Sequence, residues 1–348
     1  MIHKRKIFFK RLLIVVGLLL LITVIWQYEL IIYGARQGYG QFEILYHARP
    51  IDEVLVDKSY PDSLKQKLLL IEEIKRFAFD SLQINFSKNY TTFYNQKGKP
   101  ILWIVTACEP YNLKAKEWNF PFVGKVSYKG FFTKELVKQA AEDLKKEGYD
   151  IEIDEVAGWS TLGWFKDPVL SSMLNNNEGK LANLIIHELT HGTLFIKNNV
   201  EFNENLADFV GDYGTTRFLQ YKYGKNSIQY KDYEHSKTDY KLFSEHILVG
   251  TKKLDSLYKT MKVSQSINEK DTLKYRLIKN IISSVDTISF ANSKWKKRAH
   301  IKKLPNNAYF IDYIRYRSQQ NIFNKEFKDR FNSNFKIYFA FLKQKYPV

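Results

Sequence analysis

Residues 181–208 read LANLIIHELTHGTLFIKNNVEFNENLAD. Leu181, Leu184, Ile185 and Leu189 recur at three- and four-residue intervals with no proline between them, which predicts a helix with one apolar face, and Asn175 to Asn177 stand ahead of it as capping residues. On such a helix His187 and His191 lie four residues apart and project from one face, one turn from each other. That arrangement lets two imidazoles reach a single ion at about 2.0–2.1 Å each. Glu188 is too far around the helix to join them as a ligand, but it is suited to take a proton from water at that ion. The spacing therefore predicts two ligands and a general base within five residues.

A metal centre that keeps one position open for solvent needs a third protein ligand. Glu204, 13 residues after His191, is the expected one. Lys197, Asn198 and Asn199 form a loop in which the chain can reverse, and a second helix starting near Asn203 would bring Glu204 opposite the two imidazoles. Asp208, four residues further on the same face, is placed to accept a hydrogen bond from a ligand imidazole and fix its tautomer. Glu201 is the rival third ligand, though it falls in the expected loop. Burying two imidazoles and a carboxylate is unfavourable unless something pairs them, and a divalent cation does so best. Other chemistries lack their residues: no glycine-rich phosphate loop and no G-x-S-x-G turn occurs, and the single cysteine, Cys108, has no activating neighbour in the sequence.

Outward from this stretch, Leu64, Leu68, Leu69, Ile71, Ile74 and Phe77 predict a helix over Asp62 to Leu82, and an amphipathic helix is expected over Lys134 to Glu147. Strands are expected over Ile101 to Thr106, a continuous apolar run, and over Tyr149 to Val156, where apolar residues alternate with acids. After Gly163 the pattern is mainly helical. Strands ahead of a helical half predict an α+β fold. The expected domains are a basic tail with a membrane anchor over 1–29, a catalytic core over 30–225, and a helical basic region over 226–348 packed on that core.

The chain has 348 residues, 45% of them hydrophobic, which excludes intrinsic disorder; one cysteine excludes both an internal disulfide and a four-cysteine zinc site. Its formal charge of +17 is unevenly placed. Residues 221–348 hold 27 of the 54 basic groups against 11 acidic ones, whereas residues 12–220 are acidic on balance. The basic cluster of Lys294, Lys296, Lys297, Arg298, Lys302 and Lys303 around Trp295 reads as a solvated helical surface, with acidic lipid head groups as the more accessible partner and no nucleic acid expected. At the other end, Leu12 to Trp26 carry no charge, and five basic residues precede them. A helix from Ile7 to Trp26 would be about 30 Å long, matching a bilayer core if Lys10 and Arg11 snorkel. This predicts a single-pass inner-membrane anchor with the N-terminus in the cytoplasm and the catalytic domain on the periplasmic side. A cleaved signal peptide shares the charged start and apolar middle, but no small-x-small cleavage site follows the run.

The HELTH segment at 187–191, followed by a short loop and NENLAD at 203–208, resembles the gluzincin metallopeptidases. Arg49-Pro50-Ile51, the segment Trp118 to Gly124 with Tyr128 to Phe132, and Ser160 to Pro168 resemble a bacterial family of predicted zinc aminopeptidases, with the likeness running from about Tyr33 to Phe218. Members of that family often carry a lipidated N-terminal cysteine, which this chain lacks. The resemblance implies one zinc ion per chain held by His187, His191 and Glu204, catalysis through Glu188, and a peptide as substrate. Tyr128 and Tyr213 are candidate donors to the oxyanion, and the turn-rich stretch Gly158 to Pro168 a candidate substrate-binding edge.

Overall fold

The computed structural model describes residues 2–120, 124–156, 165–292, 295, 303–317 and 319–346. Most of the basic cluster at 294–302 and of the candidate substrate edge at 158–168 lies outside them. The chain divides into two compact units, Met1–His47 and Ala48–Val348. The first contains helices α1 (Ile2–Trp26) and α2 (Tyr28–His47).

Among the described residues no helix is long and apolar enough to cross a membrane. This corrects the expected transmembrane anchor, and with it the single-pass inner-membrane placement and the periplasmic catalytic domain. The uncharged run ends at 15 residues, about 22 Å of helix, against a bilayer core of about 30 Å, and extending it to Ile7 takes in Lys10 and Arg11.

The α+β expectation is corrected as well, because the molecule is mostly helical with a few short strands. In the second unit, strands β1 (Arg49–Pro50), β2 (Thr92–Tyr94) and β8 (Val169–Leu170) make one three-stranded sheet in the order β1-β2-β8. β3 (Trp103–Cys108), β6 (Lys129–Phe131) and β7 (Asp150–Glu155) make another in the order β6-β3-β7, antiparallel throughout, with Val105 opposite Ile153. β4 (Trp118–Phe120) and β5 (Gly124–Val126) form a separate hairpin. The two predicted strands are therefore present. The alternating pattern of β7 and the apolar run of β3 support only a small sheet, which helix α5 (Lys134–Lys146) covers with Val137, Ala141 and Leu144.

Helices dominate because their apolar faces find one another. After the short α3 (Ile51–Val56), α4 (Asp62–Leu82) buries Leu68, Ile71, Ile74, Ala78 and Leu82 at 2% exposure or less. It packs against α6 (Glu178–His191) and α7 (Val200–Tyr223). Asn177 caps α6 by accepting from the Lys180 amide, and Asn199 caps α7 by accepting from the Phe202 amide. α7 can run close to its neighbours because Gly214 has no side chain. A Cβ there would stand 2.5 Å from Leu82 Cδ1 and 3.1 Å from Ile186, closer than carbon atoms pack.

The C-terminal helices α8 (Ile228–Thr260), α9 (Ile267–Ser283), α10 (Asn307–Arg317), α11 (Gln320–Phe331) and α12 (Phe335–Lys345) complete the unit. Phe243, Ile247, Leu254, Ile278, Ile281 and Phe310 form a core between α8, α9 and α10. α10 also lies against α7, β3 and β7. Asp150 Oδ2 fastens this corner, accepting from the amide of Asn307 at 2.9 Å and pairing with Lys274 of α9. Trp295 belongs to the same core, its ring 5.7 Å from Phe243 and 5.9 Å from Phe290. Cys108 is completely buried at the end of β3, and burial pushes its thiol up to about 12.

The acids of β7 face charged groups of α10. Glu152 has its carboxyl pushed up to about 7, by burial first and then by the charges of Asp154 and Asp312, with Lys303 pulling the other way. A folded-state value above the unfolded value of about 4.3 means that the folded protein holds this proton more tightly. Stability is then greatest below the unfolded value and declines as pH rises towards 7. Glu152→Gln keeps the shape without the charge. Its melting temperature should match the parent's at pH 4 and exceed it at pH 8, where the variant should be more stable by on the order of 1 kcal/mol once solvent screening is discounted. A lower melting temperature at pH 8 would contradict this account.

Candidate metal centre

The site forms where the end of α6 meets the first turns of α7. The loop joining them is closed by Asn203, whose side chain accepts from the Ile196 amide and donates to the Ile196 carbonyl, each at 2.8 Å. Thr193, just past α6, accepts from the amide of Asn85 at 3.0 Å and so ties this corner to the segment after α4. One turn beyond Asp208, a Cβ on Gly211 would stand 3.2 Å from Asn183 Nδ2, a tight contact, so a glycine there helps α6 and α7 approach.

These constraints bring His187, His191 and Glu204 together. The two imidazole Nε2 atoms are 3.2 Å apart, and Glu204 Oε2 lies 3.3 Å from His187 Nε2 and 3.6 Å from His191 Nε2. Ligand atoms bound to zinc at about 2.0–2.1 Å in a tetrahedral shell are about 3.3–3.4 Å from each other. Two neutral donors and one carboxylate at these separations fit a divalent cation.

The charges around the site favour a cation too. Burial opposes protonation of His187, yet its hydrogen bonds with Asp208 and Glu204 hold the imidazole well above its ordinary value. Burial also disfavours the charged form of Glu204, but the imidazoles of His191 and His187 hold its carboxyl well below the usual range. Positive charge is what this pocket stabilises. His191 Nδ1 is buried and has no hydrogen-bond partner among the described residues, so nothing there fixes its tautomer.

Glu188 projects beside the ligands without belonging to their group. Burial pushes its carboxyl up, against the pull of His187 and His191. Behind it Tyr90 is completely buried, and burial together with the Glu188 charge pushes its phenol far up. Tyr90 has φ 59°, a left-handed conformation rare for an aromatic residue, held by a 2.6 Å hydrogen bond from its amide to the Asp167 carbonyl.

Asp208 accepts from His187 Nδ1 at 3.0 Å, the contact the i,i+4 spacing predicts. Glu201, the rival ligand, lies in the first turn of α7 rather than in a loop, and its Oε1 accepts from Gln319 Nε2 at 3.1 Å. Tyr213 stacks on Phe335 at 4.3 Å in the aromatic packing of α7 with α12, which gives it a structural place. Tyr128 lies under the Arg315 guanidinium, 5.4 Å from ring centre to Cζ.

Sequence reasoning missed what α10 contributes. The Arg315 carbonyl accepts from Asn205 Nδ2 at 2.6 Å, and its buried guanidinium bonds Asp312 Oδ1 at 2.6 Å and both the hydroxyl and carbonyl oxygens of Ser127 at 3.2 Å. Burial and the charge of Glu204 push the Tyr316 phenol far up, so it stays protonated. Arg317 reaches Asp208 and Asp212. No motif marks these residues; the available signal was three aromatic or basic residues in a row closing an apolar helix.

A family model described as "Putative aminopeptidase" matches residues 32–345, and the chain belongs to that family. The match extends far beyond Phe218, so it takes in the C-terminal helices, of which α10 reaches the candidate site. Membership supports a peptidase function. No curated protein and no solved structure matches the chain.

Proposed function

We propose that this protein is a zinc-dependent aminopeptidase with His187, His191 and Glu204 as the metal ligands and Glu188 as the general base. The observation that carries the reading is the 3.2–3.6 Å spacing of three ligand atoms contributed by two neighbouring helices. A bound zinc ion supplies Lewis acidity, polarising a carbonyl and lowering the pKa of water towards about 7. The chain's own residues do the rest. Asp208 holds the His187 ring by Nδ1, which leaves Nε2 directed at His191 and Glu204 and free to serve as a ligand. Glu188 accepts a proton from the attacking water and passes it to the departing amine, and the raised proton affinity of its carboxyl suits both steps. The ligand group among the described residues has three members, which leaves a coordination position for solvent or substrate and favours a catalytic over a purely structural ion.

Purified protein is expected to contain one zinc per chain, lost in His187→Ala, and to release the amino acid from an aminoacyl anilide until a chelator removes the metal. Acetylating the substrate's amino group should stop cleavage. Full zinc content in His187→Ala would refute the metal assignment, whereas cleavage of acetylated peptides at an equal rate would make the enzyme an endopeptidase of the same mechanism.

A further inference from the structure

Two rungs cross between α6 and α7. His187 Nδ1 meets Asp208 Oδ1 at 3.0 Å, and one turn away on both helices Asn183 Nδ2 meets Asp212 Oδ1 at 3.1 Å. The second rung is reinforced from α8, where the Tyr233 hydroxyl donates to Asp212 Oδ1 at 3.0 Å. Two carboxylates four residues apart on one helix face repel each other. Arg317, arriving from the end of α10, lies across both: its Nε is 3.4 Å from Asp208 Oδ2 and its Nη1 is 3.5 Å from Asp212 Oδ2. The Tyr240 ring of α8 covers the guanidinium at 4.2 Å, and all three charged side chains are largely buried. Each carboxylate thus turns one oxygen to α6 and the other to Arg317, Asp212 through a hydrogen bond from Nη1 and Asp208 through its charge beside Nε, which makes no hydrogen bond among the described residues.

We infer that Arg317 is a positioning residue for the metal centre, acting through Asp208 on His187, so that zinc affinity is set in part from the far C-terminal side of the chain. The inference rests on the metal reading above. A planar fork suits the task, since it can face two carboxylates at once while stacking flat on an aromatic ring; a lysine ammonium is a point charge with no flat face and no fixed fork, and does this less well. Without the fork, Asp208 and Asp212 repel across one turn, and the hold on the His187 ring loosens.

Partners of metal-bound histidines typically contribute 10–100-fold to metal affinity. In the full-length protein, competition for zinc against a chromogenic chelator should show Arg317→Gln binding about tenfold more weakly and Arg317→Lys falling between it and the parent. Asp208→Asn should lose at least as much as Arg317→Gln, and the double variant no more than Asp208→Asn alone, because the arginine works through that carboxylate. The visible spectrum of the cobalt-loaded protein should change in Arg317→Gln. Should Arg317→Gln fail to fold, Arg317→Lys carries the same comparison. Parent-like zinc affinity in a folded arginine variant, or losses that multiply in the double variant, would overturn the proposal. Undiminished zinc binding by His187→Ala would instead bring down the metal centre itself, so the two failures are separable.

Discussion

Replacing Glu188 by glutamine is expected to lower turnover about a thousandfold while leaving zinc content unchanged. The substitution keeps the side chain's size and one oxygen, so packing at the end of α6 is preserved. What disappears is the ability to take a proton from water and return it to the leaving amine, and general acid–base groups contribute about 10²–10⁴-fold. Retention of the metal follows because the converging ligand atoms belong to His187, His191 and Glu204. Steady-state kinetics on an aminoacyl anilide, with the metal measured in the same preparation, checks both halves. A rate within threefold of the parent's would remove Glu188 from the mechanism, and loss of zinc would show it to be a ligand.

Arg315→Leu is expected to cost about 3 kcal/mol of stability at pH 8, because deleting one partner of a buried ion pair leaves the other charge uncompensated. The Arg315 side chain is 4% exposed, and its removal strands Asp312 and weakens the electrostatic support for Asp154. Burial, together with Asp154, already pushes the Asp312 carboxyl up to about 6 despite the arginine. Without Arg315 it must rise further, and a protonated carboxyl needs no counter-ion. The cost should therefore shrink as pH falls from 8 to 5. Urea denaturation of both proteins at the two pH values decides: equal costs at each would mean that lost packing rather than lost charge dominates.

The convergence of the three candidate ligands was legible because their relation is local. A spacing of four on a helix fixes His187 and His191 on one face, the same spacing puts Asp208 behind Glu204, and asparagines mark the start of α6, whereas α7 begins at Val200 with Asn199 as its cap, ahead of the start expected near Asn203. The strands at 103–108 and 150–155 were legible for the same reason, as short-range pattern. What the pattern did not carry was proportion: two modest strands with a helical remainder read as α+β, although the helices take most of the apolar contacts. The fifteen-residue uncharged run near the N-terminus read as an anchor only by counting across two basic residues. Arg317 stayed invisible because nothing within ten residues of it shows that two carboxylates more than a hundred positions earlier await it, and Arg315 because its pairing with Asp312 three residues before looks like an ordinary surface pair of one helix. Both belonged to a region whose excess of lysine and arginine read as solvated surface, and average charge conceals the few cations that are buried.

Cys108 has a practical consequence. It is the chain's one sulfhydryl, fully enclosed and held in its unreactive thiol form. Alkylating dyes and spin labels therefore meet a silent background. A cysteine introduced on an exposed turn becomes a unique handle, through which movements of the C-terminal helices during turnover can be followed without first stripping the native residue.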